Sequence, residues 1–482
     1  MPEAYAPPTR NQSFLPLLLL VILIVPAAAL RVLATHNGVW LDEIISLQIA
    51  KEVKSPWQVF SGVHNENNHY LNTLYLYLVG QQSYAPVYRR LSVVFGIGLV
   101  AAGYWLLARR SRGEAVILAG LLACSYPLIH FSSEARGYSG ALLGSVVACA
   151  ALVRCMEQSS RWRLLCMGLA YGLALVLAIL SNLTACLIWL PLAAGSLLIF
   201  MGRPGRVKSA LLWIAINVLP ASVLTALYFL DLRHLPPLGG GPRMTLAHGL
   251  GRLLSLALGW PARDALTVWI VLIPLIALTV WQLAAIRKAG DPSWILLALI
   301  YLMPLACILF IKLAFFSPRY FLVVVPFVYV PLAMLLARLA DARAGRALLA
   351  VVLALFVVGQ ARLYLSFLRV GRGQISAALR YMITDTPSPE LRVASNQDFR
   401  ALMELNYYAP RVLGDRQLAY VTLQNQVRFP ADWYIFHGEG HDPPGPAVFY
   451  AQNQPAWYRV AYFGSSELSG QALTIYSHQP PQ

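Results

Sequence analysis

Long uninterrupted apolar runs dominate the first three quarters of the chain. They occur near residues 14–33, 91–108, 114–131, 138–153, 164–180, 183–200, 209–230, 264–286, 294–315, 320–338 and 346–364. Each approaches the roughly 20 residues a helix needs to cross about 30 Å of hydrocarbon, so the pattern predicts eleven membrane-spanning helices. The first run, "FLPLLLLVILIVPAAALRVL", follows a short polar leader carrying Arg10. Its "PAAA" would suit a signal peptidase, but the run is long for a signal peptide and reads as an uncleaved first helix.

One apolar segment is too short for this series. "HYLNTLYLYLVG", residues 69–80, is expected to lie on the outer membrane surface, with Asn68, His69, Asn72 and Thr73 as one polar stripe at helical spacing. After "LYLSFLRVGRGQ" the long runs stop. Residues 371–482 show helix-like "ISAALRYMI" and "DFRALMELNYY" among strand-like "LRVAS", "LAYVTL", "DWYIFHG" and "YRVAYFG". The expected architecture is an all-α polytopic membrane domain over residues 1–370, its first external loop covering 34–90, followed by a small α/β domain over 371–482.

Composition agrees: 58% hydrophobic and 12% charged residues exclude a soluble globule. The formal charge of +16 needs a separate account. Its basic connectors, "ARRSRGE", "RCMEQSSRWR", "MGRPGRVK", "IRKAG" and "RLADARAGR", fall at every second junction, so the excess reads as positive-inside topology, and no nucleic-acid partner is expected. Eleven crossings from a cytoplasmic N-terminus then put the C-terminal domain outside. The six cysteines lie in or beside apolar runs without metal-ligand spacing and imply neither disulfides nor zinc. No Gly-rich fingerprint opens a helix of the C-terminal domain, which disfavours a nucleotide-sugar or ATP site.

Candidate chemistry begins at "VWLDEIISLQIAKEV", where Asp42 and Glu43 stand together just past the first run. Such a pair can cap a juxtamembrane helix, because carboxylates are favourable in a first turn. Its external neighbours suggest more: a polar "HNENNH" loop and arginines at the ends of other helices on the same side. A carboxylate with arginines suits a site that deprotonates one group while stabilising a phosphate.

Five motifs in order, the "DE" pair, "NNHYLNTLYLYL", "YRRLSVVFG", "SEARGYSGALL" and "SPRYFLVVVPF", give the chain a resemblance to the GT-C superfamily over most of residues 10–340. The branch it resembles contains protein O-mannosyltransferases and lipid A aminoarabinose or galacturonic acid transferases. The resemblance implies an integral glycosyltransferase of a bacterial-type inner membrane. It would move a sugar from a polyprenyl-phosphate donor to an extracytoplasmic glycan, glycolipid or protein, among membrane lipids.

Carried over, the resemblance makes Asp42 the catalytic carboxylate, a general base for the acceptor hydroxyl. Glu43 becomes its partner, orienting the acceptor or pairing with an arginine. Arg90, Arg136 and Arg319 would bind the donor phosphate, with Arg90 preferred to Arg89, and His64, Glu66, His69 and Tyr320 would line the substrate site. The "HNENNHY" loop departs from the aminoarabinose transferases, which carry a Lys and a double Pro there, and this leaves the donor sugar open. No cofactor is expected. A divalent cation on His64, His69 and Asp42 is the alternative, although a spacing of five suits no single helix face.

"HGEGH", His437 to His441, reads as a turn because of Gly438 and Gly440. "RHLPPLGGGPR" reads as a lid or an inert connector. Competing functions are a lipid or glycolipid flippase and a non-catalytic scaffold. Against the flippase, charges are few inside the runs and no inverted repeats with broken helices stand out.

Overall fold

The computed structural model describes residues 14–158, 160–235, 245–261, 264–311, 317–341, 343–425, 430–439, 444–449, 455–466 and 468–480. Two compact units emerge: Met1–Thr35 with Val53–Gly80 and Pro86–Ala361, and His36–Glu52 with Gln81–Ala85 and Arg362–Gln482.

The first unit is helical, and the apolar runs within it become helices. Phe14–Ala34, Pro86–Leu107, Tyr138–Glu157, Arg161–Ser181, Cys186–Met201, Arg206–Leu230, Ala265–Lys288 and Ser293–Ile311 each follow a run. The tenth run begins as a 3₁₀ turn, Pro318–Val324, and continues as Val325–Leu339, while the eleventh is part of Arg343–Val370. Among the described residues, eight helical segments are long and apolar enough to cross a membrane. Leu18–Ala34 and Ser293–Cys307 are shorter apolar helices.

The run at 114–131, expected as one span, is two helices, Arg112–Cys124 and Tyr126–Phe131. Pro127 is the cause: it has no N–H and its ring excludes the carbonyl four residues back, that of Ala123. Buried Arg31 takes up the slack. Its guanidinium donates to the carbonyls of Ala123 (3.2 Å), Leu122 (3.1 Å) and its own-helix Ala27 (3.1 Å). Across the break, the Tyr126 amide donates to Gln360 Oε1 at 2.6 Å, and Gln360 Nε2 donates to the carbonyls of Leu256 and Ala257. Pro331 has the same effect on the carbonyl of Phe327, which accepts the Tyr301 hydroxyl at 2.7 Å.

Two further features differ from the sequence reading. Tyr70–Val79 is a ten-residue helix, but its polar stripe is buried in protein instead of facing the membrane surface. Asn68 Nδ2 donates to the carbonyls of Val59 and Val63, and Asn72 Nδ2 to that of Ala135, so the amides satisfy irregular backbone. A helix at Leu246–Ala257, too short for a span, went unforeseen. Most of the "RHLPPLGGGPR" segment lies outside the described residues.

The second unit holds a six-stranded mixed sheet: β1 (Glu390–Ser395), β2 (Gln417–Val421), β3 (Trp433–Glu439), β4 (Val448–Phe449), β5 (Trp457–Phe463) and β6 (Gln471–Ser477). The order is β2-β1-β3-β6-β5-β4, with β1 parallel to β2 and β3 and the remaining pairs antiparallel. The four expected strands are present. Central β6 was not foreseen, because a strand buried on both faces shows no alternation. His437 to Glu439 are strand where a turn was expected, with Gly438 paired to Ala472 in the β3–β6 ladder; His441 lies outside the described residues. Helices Ile375–Thr384 and Asp398–Val412 pack on this sheet, and Val39 and Ile44 of the early loop join the same core.

Replacing Arg31 with Leu puts an apolar side chain in its place and leaves the Leu122 and Ala123 carbonyls without their donor. We expect a loss on the order of 1 to 3 kcal/mol, read as a lowered unfolding temperature in detergent. An unchanged transition would show that the break does not depend on this guanidinium.

Candidate functional site

The acidic pair sits at the start of helix Leu41–Glu52 in the second unit. The Ile44 amide donates to the Trp40 carbonyl at 3.0 Å, which makes Trp40 the N-cap and Asp42 and Glu43 the second and third helical residues. Glu43 is buried, and its Oε2 accepts the Trp40 amide at 3.4 Å, the third-position half of a capping box. Val39 before the cap and Ile44 after Glu43 share one core, as a hydrophobic staple does. Asp42 is turned differently. Its side chain is half-buried, and its backbone carbonyl accepts the Ser46 hydroxyl at 2.9 Å. Adjacent helical residues point about 100° apart, so one carboxylate of the pair closes the helix and the other faces elsewhere.

Within the first unit, segments far apart in sequence gather around Arg136. This residue follows the Tyr126–Phe131 helix in "SSEARGY", a turn pinned from two sides by Asn72 Nδ2 on the Ala135 carbonyl (2.7 Å) and the Ser92 hydroxyl on the Arg136 carbonyl (2.9 Å). Gly137 permits a close approach: a Cβ there would stand 1.6 Å from the Ser181 carbonyl oxygen. Arg136 is buried and donates from Nε (3.2 Å) and Nη2 (2.8 Å) to His69 Nε2. A guanidinium only donates, so the imidazole accepts through a lone pair and is neutral; it orients the arginine without adding a counter-charge. The Tyr138 ring lies 5.3 Å from the Arg136 guanidinium and 5.6 Å from the His69 ring.

Tyr320 joins this group. It is half-buried on the 3₁₀ turn Pro318–Val324, within electrostatic reach of Arg319, Tyr138, Glu66 and Arg136. Arg319 is also half-buried and Glu66 is exposed. The other expected residues lie elsewhere. Arg90 is exposed near Tyr75, whereas Arg89 is fully buried and donates to the Thr35 carbonyl at 2.5 Å, beyond the first helix.

His64 turns to Asp231, its Nδ1 lying 2.8 Å from Oδ1, and the Tyr70 hydroxyl donates to Oδ2 of the same buried carboxylate at 2.7 Å. Burial, then the carboxylate, hold the Tyr70 phenol well above its ordinary range and keep it a donor. His64 and His69 therefore serve different partners. Among the described residues, no group of three or more His, Cys, Asp or Glu side chains is placed to hold a metal. The sequence reading missed Asp231 and Tyr70, although a lone aspartate ending a 25-residue apolar helix, Arg206–Leu230, was a signal.

No family model matches the chain, and no curated protein matches it. Solved structures do. The apo oligosaccharyltransferase of Archaeoglobus fulgidus is similar at 13% identity with a TM-score of 0.52, over 88% of this chain and 66% of that one. ArnT from Cupriavidus metallidurans, bound to undecaprenyl phosphate, is similar at 13% identity with a TM-score of 0.51, over 96% of this chain and 98% of that one. The archaeal oligosaccharyltransferase AglB, in complex with an inhibitory peptide and a dolichol-phosphate, is similar at 14% identity with a TM-score of 0.50, over 89% and 70% of the two chains. This chain thus spans just under two thirds of the first of these proteins. The fold is shared with these proteins: a unit of many apolar helices followed by a small C-terminal α/β domain, the architecture expected from the sequence.

The cap geometry separates the two acids by experiment. Glu43→Gln retains an acceptor for the Trp40 amide, whereas Glu43→Ala removes it and is expected to cost about 1 kcal/mol of stability. Thermal unfolding of the purified variants reads the difference; equal stability of the two would show that Glu43 is no cap.

Proposed function

We propose that the protein is a membrane glycosyltransferase that moves a sugar from a polyprenyl-phosphate donor to an acceptor hydroxyl outside the cytoplasm. The observation that carries this reading is the gathering of Glu66, His69, Arg136, Tyr138, Arg319 and Tyr320 from three distant segments of the membrane unit. Two arginines beside tyrosine rings are the donors an anionic phosphate requires, and arginine offers it a planar fork of N–H groups. Solved proteins of the same fold hold undecaprenyl phosphate and a dolichol-phosphate, which supports a lipid phosphate as the ligand.

The acceptor oxygen attacks the anomeric carbon as the bond from that carbon to the phosphate oxygen breaks. The acceptor proton passes to Asp42, the half-buried carboxylate of the pair, and the negative charge released on the phosphate is met by Arg319 and Arg136. Glu43 sets the helix that carries Asp42. Tyr320, Glu66 and His69 position the donor, His69 acting through Arg136, while Arg90 is kept as a further phosphate-binding candidate and His64 as a further substrate-binding one. Glycan, glycolipid and protein acceptors are all consistent with this chemistry. The charge pattern of the connectors supports a cytoplasmic N-terminus and an external C-terminal unit in a bacterial-type inner membrane.

Asp42→Asn preserves shape and can still cap, yet asparagine takes up no proton. We expect normal production and donor binding with transfer slowed on the order of a hundredfold or more in reconstituted vesicles. Near-normal turnover would refute the base.

Arg319→Lys keeps charge but loses the fork, and should weaken donor use by on the order of 1 to 3 kcal/mol, with Arg319→Ala worse. Unaltered donor affinity in the alanine variant would mean that Arg319 only reaches for the interface.

A further inference from the structure

Apart from the Asp42 helix, the second unit, with its sheet and the two helices packed on it, contributes no residue to the chemistry above. We propose that it positions the base: Tyr408, on helix Asp398–Val412, is a positioning residue that fixes the start of the Asp42 helix. The proposal rests on the reading of Asp42 as general base.

The Tyr408 hydroxyl donates to the Val39 carbonyl at 2.7 Å. Val39 precedes the N-cap, so its carbonyl is outside the helix ladder, and a donor from another element determines where it sits. The contact is buried. Tyr408, Leu405 and Ala409 share a core with Val39 and Ile44, the residues flanking the cap, and Leu47 packs against it. The approach is close enough that a side chain on the adjoining residue would press on it. A Cβ on Gly38 would lie 3.2 Å from the Tyr408 hydroxyl and 3.2 Å from the Gly373 carbonyl.

Glu43 and the staple fix the first turn internally, and Tyr408 fixes that turn against the sheet domain. Asp42 lies three residues beyond the anchored carbonyl, so displacement of Val39 is passed through one helical turn to the carboxylate. Misplacing a reacting group by about 1 Å can cost about a hundredfold in rate, and loss of one hydrogen bond from an otherwise packed contact should cost less, on the order of tenfold.

The experiment compares Tyr408→Phe, Asp42→Asn and the double variant, each reconstituted at matched amounts, by donor KM, kcat and thermal unfolding. Tyr408→Phe keeps the ring and its packing. A positioning role predicts near-native unfolding, unchanged donor KM, kcat lowered on the order of tenfold, and no further loss when the change is added to Asp42→Asn. Wild-type kcat in Tyr408→Phe, or the same fold-loss in both backgrounds, overturns the proposal while leaving Asp42 as base. Near-normal turnover by Asp42→Asn overturns the base itself, and this inference with it. Should Tyr408→Phe fail to fold, Gly38→Ala presses on the same contact from the other side and is judged by the same comparison.

Discussion

Inside hydrocarbon a backbone carbonyl or amide released from a helix has no water to turn to, and this constraint governs the membrane unit wherever a span is broken. Pro127 frees a carbonyl that accepts from the Arg31 guanidinium, and Pro331 frees one that accepts from the Tyr301 hydroxyl. The end of helix Leu246–Ala257 is handled likewise: the Ala257 carbonyl receives both Gln360 Nε2 and the Tyr329 hydroxyl, and Tyr329 also bonds Ser125 Oγ at the break. Buried polar side chains in these spans therefore need not mark a path for solutes. They replace the backbone bonds that proline and irregular turns remove.

The same constraint shapes the phosphate-binding candidate. Arg136 sits on a non-helical turn within buried protein, and such a turn persists only if its carbonyls are matched. Asn72 and Ser92 match two of them in succession, those of Ala135 and Arg136. What reads along the sequence as a polar stripe on a surface helix thus supports the turn that carries Arg136. Its asparagines hold the backbone that aims the arginine, while His69 holds the guanidinium from the other end.

Much of the fold is legible because membrane spans advertise themselves by length, and each of the eleven runs became a helix or a helix pair. Pro127 within the third run carried the signal of its break, and only the partner, Arg31, some 90 residues away, was beyond local reading. In the sheet domain the half-buried strands showed in the sequence and β6 did not, since burial on both faces erases period-two alternation. The candidate site residues were nameable from motifs one by one. Their grouping was not, because the His69–Arg136 bond joins residues 67 apart and nothing in either segment refers to the other. The capping function of Glu43 was harder still. Its box lacks the usual Ser or Thr, with Trp40 at the N-cap, so only half of the pattern was written in the chain.

The adjacency of Asp42 and Glu43 then has a physical reason that neither residue supplies alone. A base that takes a proton from a hydroxyl must start ionised, and the first turn of a helix favours the charged form of a carboxylate through its unsatisfied amides. A carboxylate that itself bonds those amides, however, is held in place by them and has fewer lone pairs for a substrate. On the proposed reading of Asp42 as base, two acids in one turn divide the work: Glu43, buried, meets the Trp40 amide and keeps the turn intact, while Asp42, half-exposed, takes the benefit of the same helix end. The arrangement requires that the turn be rigid from outside as well, because an internally capped helix can still move as a body. Under that reading, the packing of Val39 and Ile44 into the core of the sheet domain would bear on the chemistry and not on folding alone.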